Sequence, residues 1–174
     1  MQPRRMTIIA IILLTVLSRF IPHPPNFTPV IAIGLFGGAY FNRKILAIAV
    51  PMVAMFVSDY FLGFHTSMIF VYLSLTIIVG FGILLQSKLK IGTVIGASIG
   101  SAILFYLITN FGVWAIGAWY PKTIDGLIAC YIAGIPFLKN TSVSSLLYTG
   151  VIFGAFELLK RTVPALQPIT IKNK

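Results

Sequence analysis

Carboxylates are nearly missing from this chain. Asp59, Asp125 and Glu157 are its three acidic residues against 13 lysines and arginines, and charged residues of both signs make up only 9% of the sequence. A soluble domain carries about 25%, so a soluble fold is excluded and the chain is an all-α integral membrane protein by composition. The same scarcity removes several chemistries: there is no acidic pair to hold a magnesium-bound diphosphate, no HExxH helix and no phosphate loop. Cysteine occurs once, at Cys130, which excludes an internal disulfide and any multi-cysteine metal site. No linker-like or low-complexity stretch interrupts the chain, so residues 1–174 form one membrane domain.

Basic residues remain, and their placement is informative. They come as Arg4-Arg5, Arg43-Lys44, Lys88 to Lys90, Lys160-Arg161 and Lys172 to Lys174, the first four each next to a long apolar run. A nucleic-acid interface would concentrate them on one face. Short clusters at every second loop are the pattern of cytoplasmic turns retained during insertion, so a nucleic-acid partner is not expected. Six spans with both termini in the cytoplasm sort the clusters, leaving Arg19, Lys122 and Lys139 outside. The expected spans cover residues 6–21, 30–41, 45–60, 68–85, 91–116 and 143–159. No A-x-A site follows the first apolar run, so it reads as an uncleaved span rather than a signal peptide. Span 2 is short for a bilayer, where about 20 residues are needed.

Residues 123–137 are apolar but short. With Thr123 as N-cap and Pro136 as terminator, they read as an interfacial or re-entrant helix on the outer side. Pro51 should kink span 3. Gly34, Gly37 and Gly38 in span 2 should let a neighbour approach. Gly92, Gly96 and Gly100, with Ala97 and Ser101 beside them, form a double small-xxx-small stripe that should pack on another helix. The tail from Thr162 is polar and proline-bearing and is expected to be loose.

The stretch Ser58 to Ser67 organises the rest. It joins two apolar runs and holds one of the three acidic residues and one of the two histidines. A carboxylate near the end of a span is costly unless paired or functional. Arg19 ends a neighbouring span at similar depth and is its expected partner, either in a structural pair or as part of a site. His65 lies in the turn itself, as a plain loop histidine or as a ligand-facing one. Pro22, Pro24, Pro25 and Pro29 stiffen the loop carrying His23 and Asn26, as a rigid connector or a pre-organised ligand contact. Trp114, Trp119 and Tyr120 either stack on a planar ligand or form an interfacial aromatic belt.

With this topology Arg19, His23, Asn26, Asp59, His65, Asn110, Trp114, Trp119, Tyr120, Lys139 and Asn140 gather in the outer third, over an inner half expected to be almost purely apolar. That predicts an outward-open cup rather than a continuous channel, which needs polar lining at every depth. Gly96-Ala97-Ser98-Ile99-Gly100 matches G-x-S-x-G, but Ser98 lies in the inner half and both histidines outside, so no base reaches it. No enzyme is expected.

The chain also resembles a known family. Arg19 with Pro22 to Pro29, then Leu35 to Phe41, looks like the opening of the uncharacterised bacterial membrane family DUF6580. Ser58-Asp59, Leu62 to His65, Phe70-Val71-Tyr72, Thr109 to Trp114, Ala129-Cys130-Tyr131 and Ile135-Pro136-Phe137 fit the same pattern. That family resembles the substrate-binding S components of energy-coupling factor (ECF) vitamin transporters, six-helix proteins that bind vitamins near the outer surface. They work with a coupling subunit and two ATPases.

The resemblance implies a multi-pass protein of the bacterial inner membrane, in contact with lipid, that binds a small solute through Arg19, His23, Asn26, Asp59, His65, Tyr72, Asn110, Trp114, Trp119, Tyr120 and Asn140. Leu14 follows Ala10 by four residues where many S components carry an Ala-x-x-x-Ala docking stripe, so a coupled and a solitary protein both remain open. Solitary S-like proteins for cobalamin use a cysteine on cobalt. By that analogy Cys130 and His65 would be the candidate ligands of a corrinoid; the residues themselves call for no cofactor and no metal. The expected function is uptake of a vitamin or cofactor precursor, the alternative a structural or assembly subunit of a larger membrane complex.

Overall fold

A computed structural model describes residues 2–167. Helix α1 (Pro3–Leu17) runs into a 3₁₀ turn (Ser18–Phe20), and α2 (Val30–Tyr40), α3 (Lys44–Leu62), α4 (Met68–Leu85), α5 (Ile91–Ile116) and α6 (Ile124–Thr162) follow, closed by a second 3₁₀ turn (Pro164–Leu166). No strand occurs among the described residues. Helices α3 to α6 are long and apolar enough to cross a membrane. The boundaries of α4 and α5 fall where hydropathy alone placed them.

Helix α2 is the hub. Its 11 residues are apolar all round and every one is buried, as expected of a helix with no polar face. At 1.5 Å per residue it is about 16 Å long, half of a ~30 Å hydrocarbon core. It is therefore enclosed by the other helices rather than being a full span of its own. Three glycines allow that enclosure. A Cβ on Gly38 would strike the backbone of α4 at Val79, and one on Gly82 of α4 would strike the Leu35 carbonyl; one on Gly37 would lie 2.6 Å from Pro51 Cγ of α3. A buried helix end leaves carbonyls without partners. Here Gln86 of the α4–α5 turn supplies them: its Nε2 donates to Gly38 O at 2.8 Å and Phe41 O at 2.9 Å.

Helix α6 corrects the sequence reading. Residues 123–137 and 143–159 are not two elements but one helix of 39 residues with Pro136 inside it. A proline removes one i→i−4 hydrogen bond and crowds the preceding turn, but the flanking ladder survives. The expected cap does form, Thr123 Oγ1 accepting from Gly126 N at 3.2 Å.

Helix α5 corrects a second expectation. Ala97 and Ser101 turn toward the bundle, but Gly92, Gly96 and Gly100 face outward and a Cβ on any of them would meet nothing within 4 Å. The packed face carries Ser98, Ser101 and Ala102. The interior is correspondingly less apolar than expected: Ser98 and Ser101 of α5 and Thr141, Ser144, Ser145 and Thr149 of α6 are all buried.

The basic clusters of the described residues collect at one end. Arg4 Nη1 donates to Asn42 Oδ1 at 3.0 Å, and Tyr40 donates to Glu157 Oε1 at 2.6 Å, which Lys160 Nζ contacts at 2.8 Å. This joins the start of α1, the α2–α3 turn and the end of α6. The helix continues past the expected start of a loose tail, through Thr162, and Leu166 is buried. The remainder of that expected tail, with Lys172 to Lys174, lies outside the described residues.

Candidate functional site

A cavity of about 290 Å³ opens at the end of the bundle opposite the basic clusters. Five segments build it. The proline loop contributes Asn26; the α3–α4 connection and the start of α4 contribute His65, Ser67 and Val71; α5 contributes Phe105, Thr109, Asn110 and Val113; the α5–α6 loop contributes Tyr120; and α6 contributes Cys130, Ala133, Gly134 and Phe137. No charged side chain is in this lining.

Each wall is held by local chemistry. Asn26 takes a left-handed backbone conformation, φ 61°, which asparagine tolerates better than most residues. Its loop is stiffened by proline and anchored twice on α6: Asn140 Nδ2 donates to Pro25 O at 2.9 Å, and Phe27 packs on Tyr148 with ring centroids 6.2 Å apart. Gly63, at φ 97°, ends α3 and turns the chain toward His65. His65 Nδ1 lies 3.1 Å from Ser67 Oγ; its other ring nitrogen has no hydrogen-bond partner among the described residues. A neutral histidine has one donor and one acceptor nitrogen, so the second is available to a ligand.

Helices α5 and α6 are stapled beneath. Tyr131 OH donates to Leu107 O at 2.9 Å, Cys130 Sγ to Asn110 O at 3.4 Å and Tyr106 OH to Tyr131 O, while within α5 Asn110 Nδ2 donates to Tyr106 O at 2.9 Å. A Cβ on Gly134 would collide with Asn110 Oδ1 and crowd Tyr106, so this glycine is what lets Asn110 lie against α6. Cys130 is buried, as a small packing residue would be, and it also forms part of the cavity wall.

Four of the residues expected to bind solute, Asn26, His65, Asn110 and Tyr120, meet in this cavity. The others do not line it. Arg19 and Asp59 pair at 2.6 Å with side chains 13% and 7% exposed. Arg19 also donates to Ser58 Oγ, and Tyr72 OH donates to Asp59 Oδ2 at 2.7 Å. Both carboxylate oxygens are thus engaged, and the network ties the end of α1 to α3 and α4.

Trp114 Nε1 donates to Pro121 O at 2.9 Å. Lys122 bonds the carbonyls of Trp114 and Gly117 and lies 5.7 Å from the Trp114 ring centroid. A cation on the last carbonyls of a helix is a C-terminal cap, so Trp114 clips the loop instead of facing a ligand. Trp119 is 87% exposed. His23 is exposed, its Nδ1 3.0 Å from Pro24 O, and Asn140 spends its amide on the proline loop.

Sequence reasoning passed over Phe105 and Gly134 as lining residues. Phe105, Thr109 and Val113 recur every four residues on one helical face, and that periodicity was the available signal. It also passed over Tyr40 and Lys160 as partners of Glu157. A separate apolar groove of about 630 Å³ between α1 and α3, walled by residues such as Leu13, Leu17, Val53 and Phe61, contains Ser58 as its one polar residue. It suits lipid chains and offers no directional recognition.

No curated protein and no solved structure matches this chain. Its sequence matches DUF6580, a family of unknown function, over residues 1–166, and the chain belongs to that family.

Proposed function

We propose that this protein takes up a small, uncharged polar solute, of the vitamin or cofactor-precursor class, across the membrane. The observation that carries the reading is the cavity: Asn26, His65, Thr109, Asn110 and Tyr120 supply hydrogen-bonding groups around an apolar floor of Phe105, Val113 and Phe137. A concave, mostly apolar site with a few placed polar groups is the usual form of a small-molecule site. The absence of charge in its lining argues for a neutral solute. Basic clusters at the opposite end favour a cytoplasmic location there, and the reading takes the cavity to open on the outer face of a bacterial inner membrane. An S-component-like mode of action, with or without a coupling subunit and ATPases, rests on the sequence resemblance; in either case this chain binds and passes the solute and hydrolyses nothing.

The test is mass spectrometry of the denatured extract of gently purified protein. A stoichiometric small molecule is expected, and His65→Ala and Asn110→Ala should lose it while remaining monodisperse. Folded variants that retain the solute as the parent does would sink the reading.

A second reading, a structural or assembly subunit, is favoured by one observation. Gly92, Gly96 and Gly100 face outward with open space above them, which lets another helix approach closely. On that reading Gly96→Leu removes a co-purifying partner and neither form carries a solute.

A further inference from the structure

The cavity does not end on purely apolar packing. Below Gly134 and Phe137 of its wall, α6 carries Thr141, Ser145 and Thr149 at intervals of four, α5 carries Ser98 and Ser101, and all five are buried. Ser98 and Ser145 hydroxyls bond each other at 2.5 Å, an ordinary interhelical contact in a membrane protein. Ser101 Oγ and Thr149 Oγ1 are different: both are buried without any partner. A helical serine or threonine commonly bonds the carbonyl one turn back, and these two do not. An unpaired hydroxyl in an apolar surround costs free energy that alanine in its place would not. Packing alone therefore does not account for them.

Below the hydroxyls the seam closes. Phe36 and Tyr40 of α2 pack on Phe153 and Phe156 of α6, with Phe36–Phe156 centroids 5.5 Å apart and Tyr40–Phe156 centroids 4.5 Å apart. All four side chains are buried. Tyr40 OH donates to Glu157 at 2.6 Å, and Lys160 Nζ holds the same carboxylate at 2.8 Å while lying 5.6 Å from the Tyr40 ring centroid. Glu157 is half-exposed at the basic end, whereas the four rings beside it are buried.

We propose that the Tyr40–Glu157–Lys160 network over these rings is a gate, and that the hydroxyl seam between α5 and α6 is the passage it closes. The proposal rests on the uptake reading for what enters the passage. Parting α2 from α6 at this end would hydrate Thr149 first, then Ser145 and Ser98, and join the cavity to the basic end. The hydroxyls unpaired in the closed form would then find partners in water or solute.

Thiol accessibility tests it on the full-length protein in native membranes. In a Cys130→Ala background, Thr149→Cys is the reporter, and the probe is a small, charged, membrane-impermeant methanethiosulfonate applied from the basic end. The reporter should react slowly with the network intact. Tyr40→Phe or Glu157→Gln removes a charge-assisted hydrogen bond, so the labelling rate should rise about tenfold or more. Lys160→Gln, at the rim, keeps the test available where either of those variants fails to fold.

Gly154→Cys, on the outward face of α6, reports general loosening and should not change. An unchanged Thr149→Cys rate, or an equal rise at Gly154→Cys, overturns the gate. Bound solute is measured separately in the extract of the parent protein. A gated reporter in a protein that carries no solute keeps the gate and removes the uptake reading; a bound solute with an ungated reporter removes only the gate.

Discussion

Arg19 and Asp59 meet at 2.6 Å across the ends of α1 and α3, in a site where neither side chain is more than 13% exposed. Tyr72 occupies the second carboxylate oxygen at 2.7 Å. Removing one member of a buried pair strands the other, at a cost of about 3–5 kcal/mol, whereas replacing both with apolar residues of similar size is often neutral. Asp59→Asn and Arg19→Met should each lower the thermal midpoint in detergent markedly. The double variant Arg19→Met/Asp59→Leu should recover most of the loss. Recovery would assign the pair to architecture; a stable double variant that no longer retains solute would assign it to the site instead.

The glycines divide into two classes with opposite consequences. Gly38 and Gly82 bring α2 and α4 into backbone contact, and a methyl on either meets main chain that cannot move aside. Gly38→Ala should destabilise by at least the ~1–3 kcal/mol typical of overpacking. Gly96 has open space above it, so Gly96→Ala should be neutral or stabilise by up to about 1 kcal/mol through helix propensity. Thermal unfolding of the two single variants side by side checks the contrast.

That contrast also marks how far the sequence was legible. Spacing of four along α5 showed that Gly92, Gly96 and Gly100 share a face, but not what the face meets. Gly96 and Ser98 are two residues apart, about 200° round the helix. Which of the two turns inward is settled by the pairing of Ser98 with Ser145, 47 positions away. Helix ends were legible because charge and hydropathy are local: α5 begins and ends where the apolar run does. Pro136 misled because a proline's local preference for ending a helix was outweighed by the α5–α6 contacts on both sides of it, from Tyr106–Tyr131 to Ser98–Ser145. Arg19 could be matched with Asp59 because a chain with three carboxylates offers few partners. The cavity was half legible for the same reason: its rarer polar residues stood out, while Phe105 and Gly134 look like any other apolar or small residue of a span.

Gln86 sits in a turn and would be taken for a solvent-facing residue. Its amide caps two carbonyls at the buried end of α2, Gly38 O and Phe41 O. Gln86→Leu keeps the bulk and removes both donors. Each unsatisfied buried acceptor costs about 1–3 kcal/mol, so the variant should unfold at clearly lower temperature. Gln86→Glu should fare no better, because a carboxylate only accepts. If both variants match the parent in thermal unfolding, water reaches that helix end and the cap is dispensable.

Gly134 offers a way to separate space from recognition in the cavity. A methyl there would collide with Asn110 Oδ1 and crowd Tyr106. One hydrogen bond, Asn110 Nδ2 to Tyr106 O at 2.9 Å, holds that amide in place, so Gly134→Ala should cost about 1 kcal/mol, the worth of that bond, and push the amide into the cavity. Solute retention, measured by mass spectrometry, should fall. Adding Asn110→Ala clears the space again but also removes the amide. If the double variant regains the solute, Asn110 only shaped the cavity. If it stays empty while His65→Ala alone also empties it, Asn110 and His65 recognise the solute by hydrogen bonds, as expected for a site that offers a neutral molecule a few placed donors and acceptors within apolar walls.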